Sequence, residues 1–197
     1  MKRATKGKAA AGNRPLAAHA GDDTLDWVER VVVGLNLCPF AAPVLDGNTL
    51  DVVVSDASDD ESLLADLDSE LTRLCRISAR ELETTLLVFT HALGEFDAFL
   101  EFADIANALL ASRGLDGIVQ LASFHPRYVF AGSDPADPTN ATNRSPWPML
   151  HLLREDSVAM AIASHPDTAM IPEANKRKLA AMDAAQLRML VTGQPDT

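Results

Sequence analysis

The sequence predicts an α/β domain: a small, mostly parallel sheet of about three strands, flanking helices, and a helical C-terminal region. Three short apolar runs, at residues 50–54, 84–89 and 118–124, have the length and the β-branched or aromatic content of buried strands. The two stretches between them repeat apolar residues at the helical period. Short links join the elements, so strand–helix–strand–helix–strand implies right-handed crossovers and parallel pairing.

Residues 1–21 hold Lys2, Arg3, Lys6, Lys8 and Arg14 with no acid and are expected to form a disordered basic tail. Residues 22–197 are expected to form one domain. A first helix should start at residues 22–24, where Asp22 and Thr24 offer N-cap oxygens. Its stripe is Leu25, Val28, Val32 and Leu35, and it should stop at Cys38, because Pro39 pushes its predecessor out of the helical region. Asp46-Gly47-Asn48 marks a turn before the first strand. Ser58 with Glu61 fits a capping box. The helix behind it aligns Leu63, Leu64, Leu67, Leu71, Leu74 and Cys75, which makes Cys75 a small core residue.

The second strand, TTLLVF, ends at Thr90-His91. A helix over residues 95–113 turns Phe96, Phe99, Leu100, Ala103 and Leu109 inward, with Gly114 as its left-handed terminator. The third strand runs into His125-Pro126 and a polar, Pro-rich loop. Ser145-Pro146 then supplies a hydroxyl cap and a proline at the first helical position, predicting a helix from residue 146 to 163. Pro172 opens another helix through residue 182, and Asp183 with Gln186 caps a last short one.

The chain has 197 residues, 47% of them apolar, and a formal charge of −11. Because the basic residues crowd the first 21 positions, the body is more acidic than the total. Such a body repels phosphate backbones, which excludes nucleic acid as a partner of the folded part. Cys38 and Cys75 cannot form a disulfide framework and read as reduced thiols. No apolar run approaches the ~20 residues of a membrane span, and the basic N-terminus lacks the apolar core of a secretory signal. The expectation is a cytoplasmic protein with no membrane partner; whether the basic tail is a targeting segment stays open.

Ligands of an open parallel sheet bind beyond the carboxyl ends of its strands. Here Asp56, His91 and His125 follow the three strands. Residues 118–155 add Arg127, Asn143, Arg144, Ser145, His151 and Arg154 within one strand–loop–helix unit. His151 and Arg154, three apart, would share a helix face. The helix start at Ser145 would seat an anion, and the guanidinium forks suit carboxylate or phosphate. His125 and His151 are the candidate acid/base groups, and Cys38 a candidate nucleophile or second acid/base. His91, Arg127, Asn143, Arg144, Ser145 and Arg154 are the candidate binding residues.

Plainer readings stand beside these. Strand ends are where polar residues begin, and Arg154 has Glu155 and Asp156 as neighbours for an exposed pair of little energetic weight. Cys38 at a helix C-terminus would have its pKa raised, so a thiol packed beside Phe40 explains it equally well. Metal is a competing use of Cys38, His91, His125 and His151. However, no CxxC, HxH or HExxH spacing is present, and GxGxxG and GxxxxGK[ST] are both absent. The cofactor is therefore left unspecified.

Three segments together resemble the bacterial domain-of-unknown-function family fourteen-fifteen: residues 27–40 (WVERVVVGLNLCPF), 120–130 (QLASFHPRYVF) and 142–155 (TNRSPWPMLHLLRE). The similarity covers roughly residues 24–165, one domain's worth, and leaves the tail and the C-terminal helices outside. The family is uncharacterised, so the resemblance implies no reaction, cofactor or catalytic residue. It implies that Cys38, His125, Asn143, Arg144, His151 and Arg154 lie within family-defining motifs. The resulting expectation is an enzyme acting on a small anionic metabolite, a carboxylate or phosphate, through His/Cys chemistry. The alternatives are a metal- or cofactor-binding protein using Cys38 and the histidines, and a non-catalytic binding module.

Overall fold

The structure, a computed structural model, describes residues 19–164 and 168–192. Residues 1–18 of the expected basic tail and His165 lie outside the described residues. Ala20–Trp27 forms α1, and the helix continues as a π-helical segment over Val28–Val33. The helix therefore begins before Asp22 and Thr24, which lie inside it, and Thr24 turns its hydroxyl back to the Ala20 carbonyl at 2.7 Å. A short helix absent from the sequence reading, α2 (Ala41–Asp46), follows Cys38.

Strand β1 (Leu50–Ser55) leads to α3 (Asp60–Arg76), β2 (Thr84–Phe89), α4 (Phe96–Ser112) and β3 (Val119–Phe124). The cap of α3 is Asp59, whose carboxylate accepts from the Ser62 N–H at 3.0 Å, rather than Ser58. Leu63, Leu67, Leu71 and Leu74 are buried as the stripe requires, but Cys75 is exposed. Leu100 likewise points outward, while Phe99, Phe102, Ala106 and Leu110 carry the buried face of α4. Gly114 takes the left-handed φ of 67° that its terminator role demands.

The largest departure follows the loop. Residues 149–154 form a strand, β4 (Met149–Arg154), and the helix α5 starts only at Glu155 and runs to Ser164. Pro148 explains this. It pushes Trp147 away from helical geometry, so the Ser145-Pro146 cap has no helix to open. The run MLHLLR is buried on both faces and lacks the alternation that would identify it locally. β4 inserts between β2 and β3, giving the order β1-β2-β4-β3. β1 pairs with β2 in parallel, and β4 is antiparallel to both β2 and β3. The sheet is thus mixed rather than mostly parallel, yet β1, β2 and β3 do run the same way. The α/β class holds.

One face of the sheet packs Leu87, Phe89, Val119, Leu150 and Leu152 against α3 and α4. The other packs Leu86, Val88 and Met149 against Trp27, Val28 and Val31. Near the C-terminus, α6 (Ile171–Ala180) and α7 (Ala184–Thr192) follow, with Pro172 in the first turn of α6 and reciprocal Asp183–Gln186 bonds of 2.8 Å opening α7. Among the described residues no helix is long and apolar enough to cross a membrane.

Candidate functional site

A strand places residues i and i+2 on one face and i+1 and i+3 on the other. On β4 this separates His151 from Arg154. Leu150, Leu152 and Arg154 face the α3 side, and Met149, His151 and Leu153 face the Trp27 side. Arg154 accordingly serves the scaffold. Its Nη2 donates to the carbonyls of Leu74, Ile77 and Leu82 at 2.6, 2.7 and 3.0 Å, closing the C-terminal end of α3. It pairs with backbone, not with Glu155 or Asp156.

His125 is likewise structural in its setting. It is fully buried, with Phe96 and Phe99 each at a ring distance of 5.2 Å. The Arg127 backbone N–H donates to its Nδ1 at 3.0 Å, so the ring proton sits on Nε2 and is donated to the Leu93 carbonyl at 3.1 Å. Burial, more than any neighbouring charge, holds its pKa below the ordinary histidine range. Leu93 itself stands at φ 60°, left-handed backbone that a non-glycine residue rarely adopts.

The remaining polar candidates pin the loop. Arg144 donates to the carbonyls of Tyr128 and Pro135 at 3.1 and 2.9 Å, and burial lowers its pKa. Buried Ser145 donates to the Trp147 carbonyl at 2.6 Å. Arg127 bonds the Gly94 carbonyl and pairs with Glu95 at 2.9 Å. His91 is exposed and shares a 2.9 Å bond with Thr90. The carboxyl edge of the sheet therefore does not gather these groups around an anion seat.

What the structure does bring together lies over the opposite face. A cavity of about 630 Å³ separates the sheet from the π-helical segment, α2 and α5. Leu86, Ala122, Phe124, Val28, Val32 and Val44 make its apolar walls. Cys38, Asn143, His151 and Arg154 line it, Arg154 at the end of β4, as do residues the sequence reading had not singled out, among them Trp27, Glu83, Thr84 and Asn175. His151 sits mid-sheet, opposite Leu86 on one side and Ala122 on the other; the small side chain at 122 leaves room beside the imidazole.

The proton on His151 is assigned by Thr84. That hydroxyl donates its only proton to the Leu152 carbonyl at 2.6 Å, so at the 2.7 Å contact with His151 Nε2 it accepts. Nε2 carries the proton, and Nδ1 keeps a lone pair without a partner among the described residues. Burial depresses the pKa of this imidazole to about 4, so at neutral pH it is an uncharged acceptor. Asn143 donates to the Ser123 carbonyl at 3.0 Å, which fixes it at the cavity rim.

Cys38 precedes a helix start instead of closing a helix: its sulfur accepts from the backbone N–H groups of Phe40 and Ala41. Burial outweighs these bonds and pushes the thiol pKa up, so the sulfur stays protonated at neutral pH. Asn175 of α6 reaches across to the Leu37 carbonyl at 2.7 Å and anchors the segment that carries Cys38. Among the described residues no three of His, Cys, Asp and Glu cluster closely enough to hold a metal ion. Cys38, His91, His125 and His151 do not converge. No local sequence signal pairs Thr84 with His151, 67 positions later.

The fold and cavity define an α/β chain with a mixed four-stranded sheet and a mainly apolar pocket over its open face. The chain belongs to a family described as a protein of unknown function, DUF1415, whose model matches residues 19–189. The match reaches through α6 and into α7, so the C-terminal helices belong to the family unit rather than lying outside it. No curated protein and no solved structure matches the chain.

Proposed function

We propose that this chain binds a small, mostly apolar organic molecule in the cavity over the Trp27 face of the sheet. The observation that carries the reading is the Nδ1 lone pair of His151, without a partner among the described residues, in a mainly apolar pocket of about 630 Å³. That size and composition, apolar walls with a few placed polar groups, are those of small-molecule sites. The π-helical turn on the cavity wall adds support, because such turns are rare and recur at functional sites. The anionic metabolite expected from the arginines has less to recommend it, since Arg127, Arg144 and Arg154 are all engaged with backbone or with Glu95.

The test is saturable binding of the neutral fluorescent probe N-phenyl-1-naphthylamine. Native protein is expected to bind it one to one, and Ala122→Leu, which fills the space beside His151, to weaken binding about tenfold or more without lowering the melting temperature. Absence of saturable binding to the native protein overturns the reading.

A second reading, His/Cys chemistry on the bound molecule, is favoured by one observation: Cys38 and His151 line the same cavity. It requires that Cys38→Ser abolish turnover of a substrate while leaving binding intact. A fully active serine variant removes the cysteine from any mechanism.

A further inference from the structure

His151 is half-buried and lines the cavity, and its Nδ1 has no hydrogen-bond partner among the described residues. The indole nitrogen of Trp27 is unpartnered too, but its neighbours seal it off; Nδ1 of His151 is not sealed. With the Nε2 proton given to the Thr84 hydroxyl, Nδ1 presents a lone pair and no proton. The ring cannot turn over to offer a donor there without giving up that 2.7 Å bond. Several polar neighbours are already committed. Asn143 gives its N–H to the Ser123 carbonyl and takes the Thr142 hydroxyl proton at 3.2 Å. Asn175 holds the Leu37 carbonyl, and Nε and Nη2 of Arg154 hold the carbonyls around the end of α3. Among the described lining residues Glu83 is the only carboxylate.

From this arrangement we infer that the cavity selects uncharged ligands that bring a hydrogen-bond donor, a hydroxyl or an N–H, to Nδ1 of His151. The inference rests on the cavity reading and adds the polar chemistry of the ligand to it. A hydroxyl that enters an apolar space gives up its bond to water, and only an acceptor in the wall restores it. The imidazole, uncharged at neutral pH, is such an acceptor. A carboxylate brings lone pairs to a lone pair and a second negative charge to the cavity that holds Glu83. A plain hydrocarbon strips water from Nδ1 and puts nothing in its place. A site with a committed polar group penalises a ligand that cannot pair it more than an apolar wall penalises a missing methylene.

Three probes on one naphthalene framework separate these cases. 1-Naphthol brings a donor, 1-fluoronaphthalene replaces the hydroxyl by a fluorine of similar size without a proton, and 1-naphthoate brings a carboxylate. The readouts are displacement of N-phenyl-1-naphthylamine and the imidazole signals of ¹⁵N-labelled full-length protein, with those of His151 assigned by their loss in His151→Phe. 1-Naphthol is expected to bind about three- to tenfold more tightly than 1-fluoronaphthalene, the worth of one net hydrogen bond, and 1-naphthoate most weakly. Apolar walls alone give the reverse order for the first two, because a fluorine costs less to desolvate than a hydroxyl. The signal of the unprotonated His151 nitrogen is expected to move upfield with 1-naphthol and to stay in place with 1-fluoronaphthalene. His151→Phe should cancel the advantage of the hydroxyl, and Glu83→Gln should keep it. The comparison of probes on the native protein stands whether or not the variants fold. Equal affinities, a preference for the fluorinated or carboxylate probe, or an unmoved His151 signal overturn the inference and, while N-phenyl-1-naphthylamine still saturates, leave the cavity reading standing. Failure of all three probes, together with failure of N-phenyl-1-naphthylamine, overturns both.

Discussion

Arg154 shows how a residue in a distinctive motif can be committed to the scaffold. Its guanidinium collects three carbonyls at the end of α3. Hydrogen bonds from a charged donor contribute more than neutral ones, and removing the donor leaves these carbonyls to find other partners. Arg154→Met is expected to lower the free energy of unfolding by about 1.5–3 kcal/mol, measured by urea denaturation. Arg154→Lys should recover little, because a single ammonium on a different stem cannot reproduce the fork. A loss of stability seen with no anion present marks a structural arginine rather than an anion clamp. His125 belongs to the same class, since both of its nitrogens are satisfied by backbone.

The element that shapes the cavity is the π-helical segment. Widening the turn at residues 28–33 shifts the register of the following residues, and the chain leaves it through Gly34, whose N–H bonds the Glu29 carbonyl at 2.9 Å. A Cβ at position 34 would collide with the Arg30 carbonyl oxygen and crowd that of Glu29. Both obstacles are backbone, so neither can swing aside. Gly34→Ala is therefore expected to cost about 1–3 kcal/mol, the usual penalty of overpacking, and to weaken N-phenyl-1-naphthylamine binding as the turn rewinds. Circular dichroism melts and probe titration check the two parts separately. Unchanged stability would mean the turn tolerates the methyl group.

At the scale of the whole molecule, segments distant in sequence hold the site together. Asn175 bonds the Leu37 carbonyl from 138 positions away, and Lys178 reaches the carbonyls of Leu35 and Asn36. Asn175→Ala is expected to speed amide hydrogen exchange across residues 35–41 while leaving the strands protected. Acid stability is a second global property. Buried His125 and half-buried His151 have folded pKa values below 6.5, that of His151 about 4. The unfolded chain therefore takes up these protons first. Stability is full above pH 6.5, falls as pH drops below it, and for His151 the loss is complete below about pH 4. The His151 contribution amounts to about 3 kcal/mol. Denaturation midpoints between pH 7 and 4 should show that slope, and His151→Phe should flatten it.

The local pattern of the sequence was enough to determine the α/β class, three of the four strands and their common direction, most helix boundaries, and the family. Each of these is set by residues close together in the chain: a period, a cap, a proline, a motif. The fourth strand was not legible, because an apolar run buried on both faces reads the same in a central strand as in a buried helix. That one placement decided the site. It put His151 and Arg154 on opposite sides of the sheet, turned His151 toward Trp27 and Cys38, and gave Thr84 the proton geometry that leaves Nδ1 bare. It also carried Arg154 to the backbone carbonyls at the end of α3. Which polar groups share a hollow depends on which strand lies beside which, and that is settled by packing across the whole sheet.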